Sequence, residues 1–191
     1  MNFKNLLTLL SVFIISGCSM LKNNANFFSD ANLTAPDSSV LKTNDPSLSA
    51  ISNKSSDLLK ETIDLVDKYI QSTEGQPEYR SFVNQTLNMD TSQQVEYYKS
   101  LSSEQKSKVN SSIANNSFMN KLNVSSDLLK QAYTLKDEIA PGLKKNLLSS
   151  LTQFNKENPL LKISKQISYS IDKLKFLSGQ YKIAQQIKQI K

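Results

Sequence analysis

Leu48, Ile51, Ser55, Leu58, Thr62, Leu65 and Tyr69 fall at alternating steps of three and four. At 3.6 residues per turn, that spacing lays them along one stripe of a helix, and Leu59, Ile63, Val66 and Ile70 widen the stripe. A half-buried strand would need a period of two instead. Comparable helical spacing recurs to the end of the chain. The sequence therefore predicts an all-α domain over residues 47–191, a bundle of five or six helices with a long C-terminal one. Glycine and proline number only 4 and 5, too few for the many turns of a β-sandwich.

The breaks between helices are written in local chemistry. Thr73-Glu74-Gly75-Gln76-Pro77 should end the first helix, with Pro77 in the first turn of the next, whose apolar side is Tyr79, Phe82, Val83 and Leu87. Asp90-Thr91-Ser92 offers an N-cap for a third segment carrying Val95, Tyr98 and Leu101. Ser102 or Ser103 should cap a fourth through Ser117, with Glu104 or Gln105 near the reciprocal capping position. Ser125 or Ser126 should cap a fifth, with Leu128, Leu129, Ala132, Leu135 and Ile139 inward. Pro141-Gly142 is expected to break or kink it. Asn158-Pro159 opens the last helix, with Ile163, Ile167, Ile171, Leu174, Leu177 and Ile187 on its apolar side and Gly179 as a weak point. One echo stands out. Ser55-Ser56-Asp57-Leu58-Leu59-Lys60 recurs as Ser125-Ser126-Asp127-Leu128-Leu129-Lys130. A duplicated hairpin, or one good cap used twice, would explain it, and either reading implies two helix starts.

The first residues are of another kind. Lys4 lies in a short polar start, and an apolar run from Leu6 to Ile15 follows. Ten such residues are too few to span a bilayer, which takes about 20, but they fit the apolar region of a signal peptide. Next comes Ile15-Ser16-Gly17-Cys18: aliphatic, small, small, cysteine. This resembles the lipobox of bacterial lipoproteins at all four positions. The resemblance covers only this leader. It implies a signal peptide over 1–17, recognition of Ile15, Ser16 and Gly17 by the signal peptidase, cleavage before Cys18, and diacylglyceryl on the Cys18 thiol. Acylation of the new amino terminus usually follows. More than one acyl chain gives stable membrane anchoring, where a single chain is marginal. Ser19 rather than aspartate after the cysteine points, by resemblance to enteric lipoproteins, to the outer membrane, at its periplasmic face or at the cell surface.

Residues 18–46 are rich in Asn, Ser, Asp and Thr and hold Pro36 and Pro46 without sustained apolar period. They read as a flexible, mostly disordered tether, about 30 Å end to end as a coil and at most about 95 Å extended. The Phe27-Phe28 pair is placed to dock either on the domain or on lipid.

Charge is uneven. Residues 141–191 hold ten lysines against Glu157 and Asp172, a local +8, whereas residues 18–140 carry 12 basic and 15 acidic groups, a local −3. The bland reading is a solvated helix surface; the functional one is attraction to headgroup phosphates or to an acidic partner. Arg80 is the only arginine, which argues against nucleic-acid recognition, as does export from the cell interior.

With no histidine and one cysteine, Ser–His and Cys–His pairs cannot form and a cysteine metal cluster is excluded. The four glycines lie too far apart for a phosphate loop. Carboxylate pairs remain: Asp64 with Asp67, Glu74 with Glu78, Asp137 with Glu138. Each sits near lysines, so surface charge is the expected role. The seven tyrosines read as core-rim residues. The sequence thus points to a non-enzymatic, lipid-anchored envelope protein without cofactor or metal, holding a protein partner at the membrane. The alternatives are a surface lipoprotein that binds host or environmental ligands, and a carrier of a hydrophobic ligand.

Overall fold

A computed structural model describes residues 27–30, 35–41, 44–150 and 159–190, the side chains of 29, 30 and 142–150 excepted. The described residues are all-α, without strands. After a single turn, α1 (Phe27–Asp30), come α2 (Pro46–Ser72), α3 (Pro77–Gln85), α4 (Thr91–Ser100), α5 (Ser103–Asn115), a 3-10 segment (Ser117–Asn123), α6 (Val124–Ser150) and α7 (Pro159–Gln189).

Several boundaries lie where local chemistry puts them. Asp90 accepts from Gln93 N while the Gln93 side chain returns to the Asp90 amide, and Ser102 does the same with Gln105. Each box satisfies two orphan donors of a helix start. Asp45 Oδ1 accepts from Ser47 N and Leu48 N, and Pro46 supplies the preset first turn of α2. At the other end of α2, Gly75 takes a positive φ of 75°, which only glycine adopts at little cost.

Three expectations change. The helix through Ser125 opens one residue earlier, on the 3-10 segment that Asn116 caps by accepting from Phe118 N. Ser125 is not its cap: its hydroxyl donates backwards to the Leu122 carbonyl. Next, α6 runs on through Pro141 to Ser150. Pro141 and Asp137 are both exposed, so the carbonyl that loses its donor can turn to water. Finally, Ser55-Ser56 is no helix start but lies inside α2, because the Asp45-Pro46 signal begins that helix earlier.

The three long helices form the core. Ser55 meets Gln166 and Tyr69 meets Phe176, so α2 and α7 run in the same direction. Ser126 meets Ser178 and Tyr133 lies under Lys175, so α6 runs opposite to α7. The helix α7 is contacted by α2, α4, α5, α6 and the 3-10 segment. It therefore buries residues around most of its girth, including Ile163, Ile167, Ile171, Leu174, Leu177, Ile183 and Ile187. Fully burying each such side chain contributes about 1.5–3 kcal/mol. Both halves of the sequence echo turn a serine toward α7, and both carry an Asp–Lys ion pair one turn apart, Asp57–Lys60 and Asp127–Lys130.

Candidate functional site

The groove between α2 and α7 starts with an anomaly in the α2 stripe. Ser52, Ser55 and Ser56 are at most 1% exposed where leucines would be expected, and Gln166 faces them from α7 at 1%. Buried hydroxyls and amides need partners. Here most of the partners are on residues 35–41, which lie along the groove. Gln166 accepts from Ser55 Oγ at 2.7 Å and donates through Nε2 to the Asp37 carbonyl at 2.7 Å. Ser56 Oγ donates to the Ser38 carbonyl, and Ser52 Oγ accepts from Leu41 N at 2.9 Å. These contacts grip the main chain of the strap.

One side-chain clamp adds to them. Lys162 Nζ lies 2.6 Å from Asp37 Oδ2 and also donates to Ser39 Oγ. The Lys162 ammonium, helped by the Ser39 hydroxyl and amide, holds the Asp37 carboxyl well below the usual carboxylate range.

Further along the groove the chain docks again through aromatic rings. Phe27 is 4% exposed and stacks on Phe176 at 3.7 Å between centroids; it meets Tyr69 edge-on at 6.0 Å. Phe28 stacks on Tyr69, and the Arg80 guanidinium lies 4.7 Å over the Phe28 ring. Lys173 Nζ lies over both Phe27 and Tyr169. Arg80 also closes the end of α2. Its Nη2 donates to the Ile70 carbonyl at 2.8 Å and its Nε to Thr73 Oγ1 at 3.2 Å, adding a charged donor to the cap that Thr73 already makes on Ile70. Of the two places open to the Phe27-Phe28 pair, the structure has it on the domain.

The stretch expected as a free tether, 18–46, is thus pinned at two points; its remaining residues 18–26, 31–34 and 42–43 lie outside the described residues. So do Ile15, Ser16, Gly17 and Cys18. Serines interrupting an apolar stripe were the one signal in the sequence that a polar segment covers this seam. Nothing local marked Gln166 or Lys162.

Beneath the aromatic cluster is a buried polar chain. Tyr79 Oη donates to Gln180 Oε1 at 3.2 Å and lies 3.2 Å from Tyr69 Oη. Burial pushes both phenols up, Tyr69 also through the neighbouring Tyr79. Tyr69, Tyr79 and Tyr98 are therefore core residues, not rim residues. Asp67 Oδ1 and Ser170 Oγ are buried without a hydrogen-bond partner.

Of each carboxylate pair named from sequence, one member is engaged by a lysine. Asp64 pairs with Lys68, Glu78 with Lys108 and Glu138 with Lys54. Two open grooves of about 620 and 520 Å³ follow α2 on its other side. Their walls carry Asp64, Lys68 and Lys121 in one and Lys54, Glu61, Lys130 and Glu138 in the other. Both are open to solvent, and apolar side chains, Leu65, Phe118 and Val124 in the first and Leu58 and Leu135 in the second, share their lining with the charged ones. Among the described residues no group of three or more His, Cys, Asp or Glu side chains is placed to hold a metal ion. The chain matches no protein family, no curated protein and no solved structure.

Proposed function

We propose that this chain is a lipid-anchored protein of the bacterial envelope, with a structural or partner-holding role rather than a catalytic one. A single observation carries the reading: the only cysteine, Cys18, follows Ser16-Gly17 directly after a ten-residue apolar run that ends in Ile15. The thiol would take the lipid, and the acyl chains would supply the membrane attachment. Among the described residues no helix is long and apolar enough to cross a membrane, so an anchor of this kind agrees with the rest of the chain. The absence of histidine supports the non-catalytic half of the reading. The outer membrane is the proposed address, with the helical domain facing the periplasm and its charged α2 grooves offered to an envelope protein.

The test is metabolic labelling. Cells expressing the full chain with tagged palmitate should yield a labelled, shortened protein in the membrane fraction. Cys18→Ala should lose the label and remain uncleaved. A Cys18→Ala chain that matures and fractionates like the wild type would end the proposal. Protease shaving of intact cells then separates the two faces: protection supports the periplasmic one, and digestion moves the domain to the cell surface.

A further inference from the structure

The strap changes how far the domain can stand from its anchor. We propose that docking of Phe27-Phe28 and of residues 35–41 shortens the leash and turns the strap-bearing face of the α2–α7 groove toward the lipid headgroups. This inference rests on lipidation of Cys18.

Were all of 18–46 free, the domain could stand about 95 Å from the anchored cysteine. With Phe27 held against Tyr69 and Phe176, only eight residues separate the anchor from the domain, and the span reaches at most about 30 Å. The helix α7 is 31 residues long, about 46 Å. The leash is therefore shorter than the bundle it holds, and it leaves from the side of the bundle, partway along α7, at Phe176. A domain held on so short a line at its flank presents that flank to the bilayer.

The chemistry of the flank suits a headgroup layer. Around the strap lie Lys162, Lys165, Lys173 and Arg80 against Asp37 and Asp67, and Val40 is exposed at 41%. A cationic excess with aromatic and aliphatic side chains favours an anionic interface. The opposite flank, the outward side of α6, carries Asp127, Lys130, Lys136 and Asp137, which balance one another and leave no cationic excess there. Lysines 141–191 supply the local +8, and those of α7 beside the strap lie on the membrane side of this arrangement.

The experiment uses the lipidated full chain in vesicles of phosphatidylethanolamine and phosphatidylglycerol that carry a headgroup-linked acceptor dye. Because lipid blocks the Cys18 thiol, one introduced cysteine takes the donor. Lys165→Cys reports the strap flank and Asp137→Cys the far flank. Energy transfer should be higher from position 165 than from 137. Phe27→Ala with Phe28→Ala should release the leash as far as Asp37, which Gln166 and Lys162 still hold, raise its limit about twofold, and reduce transfer from both positions. Should that variant lose helicity, a Gly/Ser insertion doubling the stretch between Cys18 and Phe27 leaves every bundle residue unchanged, and it must narrow the difference between the two positions. Equal transfer from 165 and 137 in the wild type, or no response to a longer leash, would overturn the inference. Failure of lipidation is seen separately, as chains that carry no palmitate and do not float with the vesicles.

Discussion

Tyr79 donates its hydroxyl proton to Gln180 Oε1 across 3.2 Å, tying α3 to the centre of α7 over 101 positions of sequence. That proton cannot also serve Tyr69, whose hydroxyl is 3.2 Å away, so Tyr69 donates and Tyr79 accepts. The direction predicts an asymmetry. Tyr79→Phe leaves both the Tyr69 proton and the Gln180 oxygen without partners in a dry site and should cost about 1–3 kcal/mol, whereas Tyr69→Phe removes only a donor and should cost about 0.5–1.5 kcal/mol. Urea denaturation of both variants measures the difference. Equal losses would mean the chain of bonds runs otherwise.

The same two phenols set the alkaline limit of the fold. Burial raises both above the ordinary value of 10.0. Their contribution is therefore intact below pH 10 and is lost as pH rises beyond it, because the unfolded chain releases protons that the folded one retains. Each should remove about 1.4 kcal/mol per pH unit in that range. Near-ultraviolet phenolate absorbance from these two residues should appear only together with loss of helical circular dichroism. The Tyr69→Phe, Tyr79→Phe double variant should show a flatter decline.

What could be read in advance was whatever neighbours in sequence decide. The capping boxes at Asp90 and Ser102 close over three residues, and Pro77 and Gly75 act on their own backbone, so those helix ends were legible. The course of 35–41 was not, because Gln166 and Asp37 meet across 129 positions and neither carries a local signal. Ser55-Ser56 misled for the same reason. A serine pair before an aspartate is a good cap in isolation, but here the pair faces the Gln166 amide and the strap carbonyls. The role of Arg80 depended on where Phe28 and the end of α2 came to lie.

Gly75 and Gly179 should respond with opposite sign to the same substitution. Both have open space where a Cβ would stand, so sterics against neighbours do not enter. Gly75 has φ of 75°, and alanine there should cost about 1 kcal/mol. Gly179 lies within α7 in ordinary helical backbone, and alanine there should stabilise by about 0.5–1 kcal/mol. Thermal midpoints of the two single variants should move in opposite directions and nearly cancel in the double. A destabilising Gly179→Ala would mean that α7 needs flexibility at that point.

The clamp between Lys162 and Asp37 makes strap docking sensitive to acid. The Asp37 carboxyl is held below its ordinary value of 3.8 by Lys162. Its stabilising contribution is thus fully present above 3.8 and is lost as pH falls below that value toward the depressed one. Asp37 is largely exposed, so salt should weaken the clamp as well. The Leu41 amide, which donates to Ser52 Oγ, is a local reporter. Its NMR shift should hold steady from neutral pH down to 3.8 and then move toward the value of an unbound segment, with helical circular dichroism unchanged over the first part of that movement. Asp37→Asn should give a strap already loosened at neutral pH and indifferent to acid. A Leu41 signal that moves only when the helices melt would show that the strap is part of one cooperative unit with the bundle, held by the Ser52, Ser56 and Gln166 contacts alone.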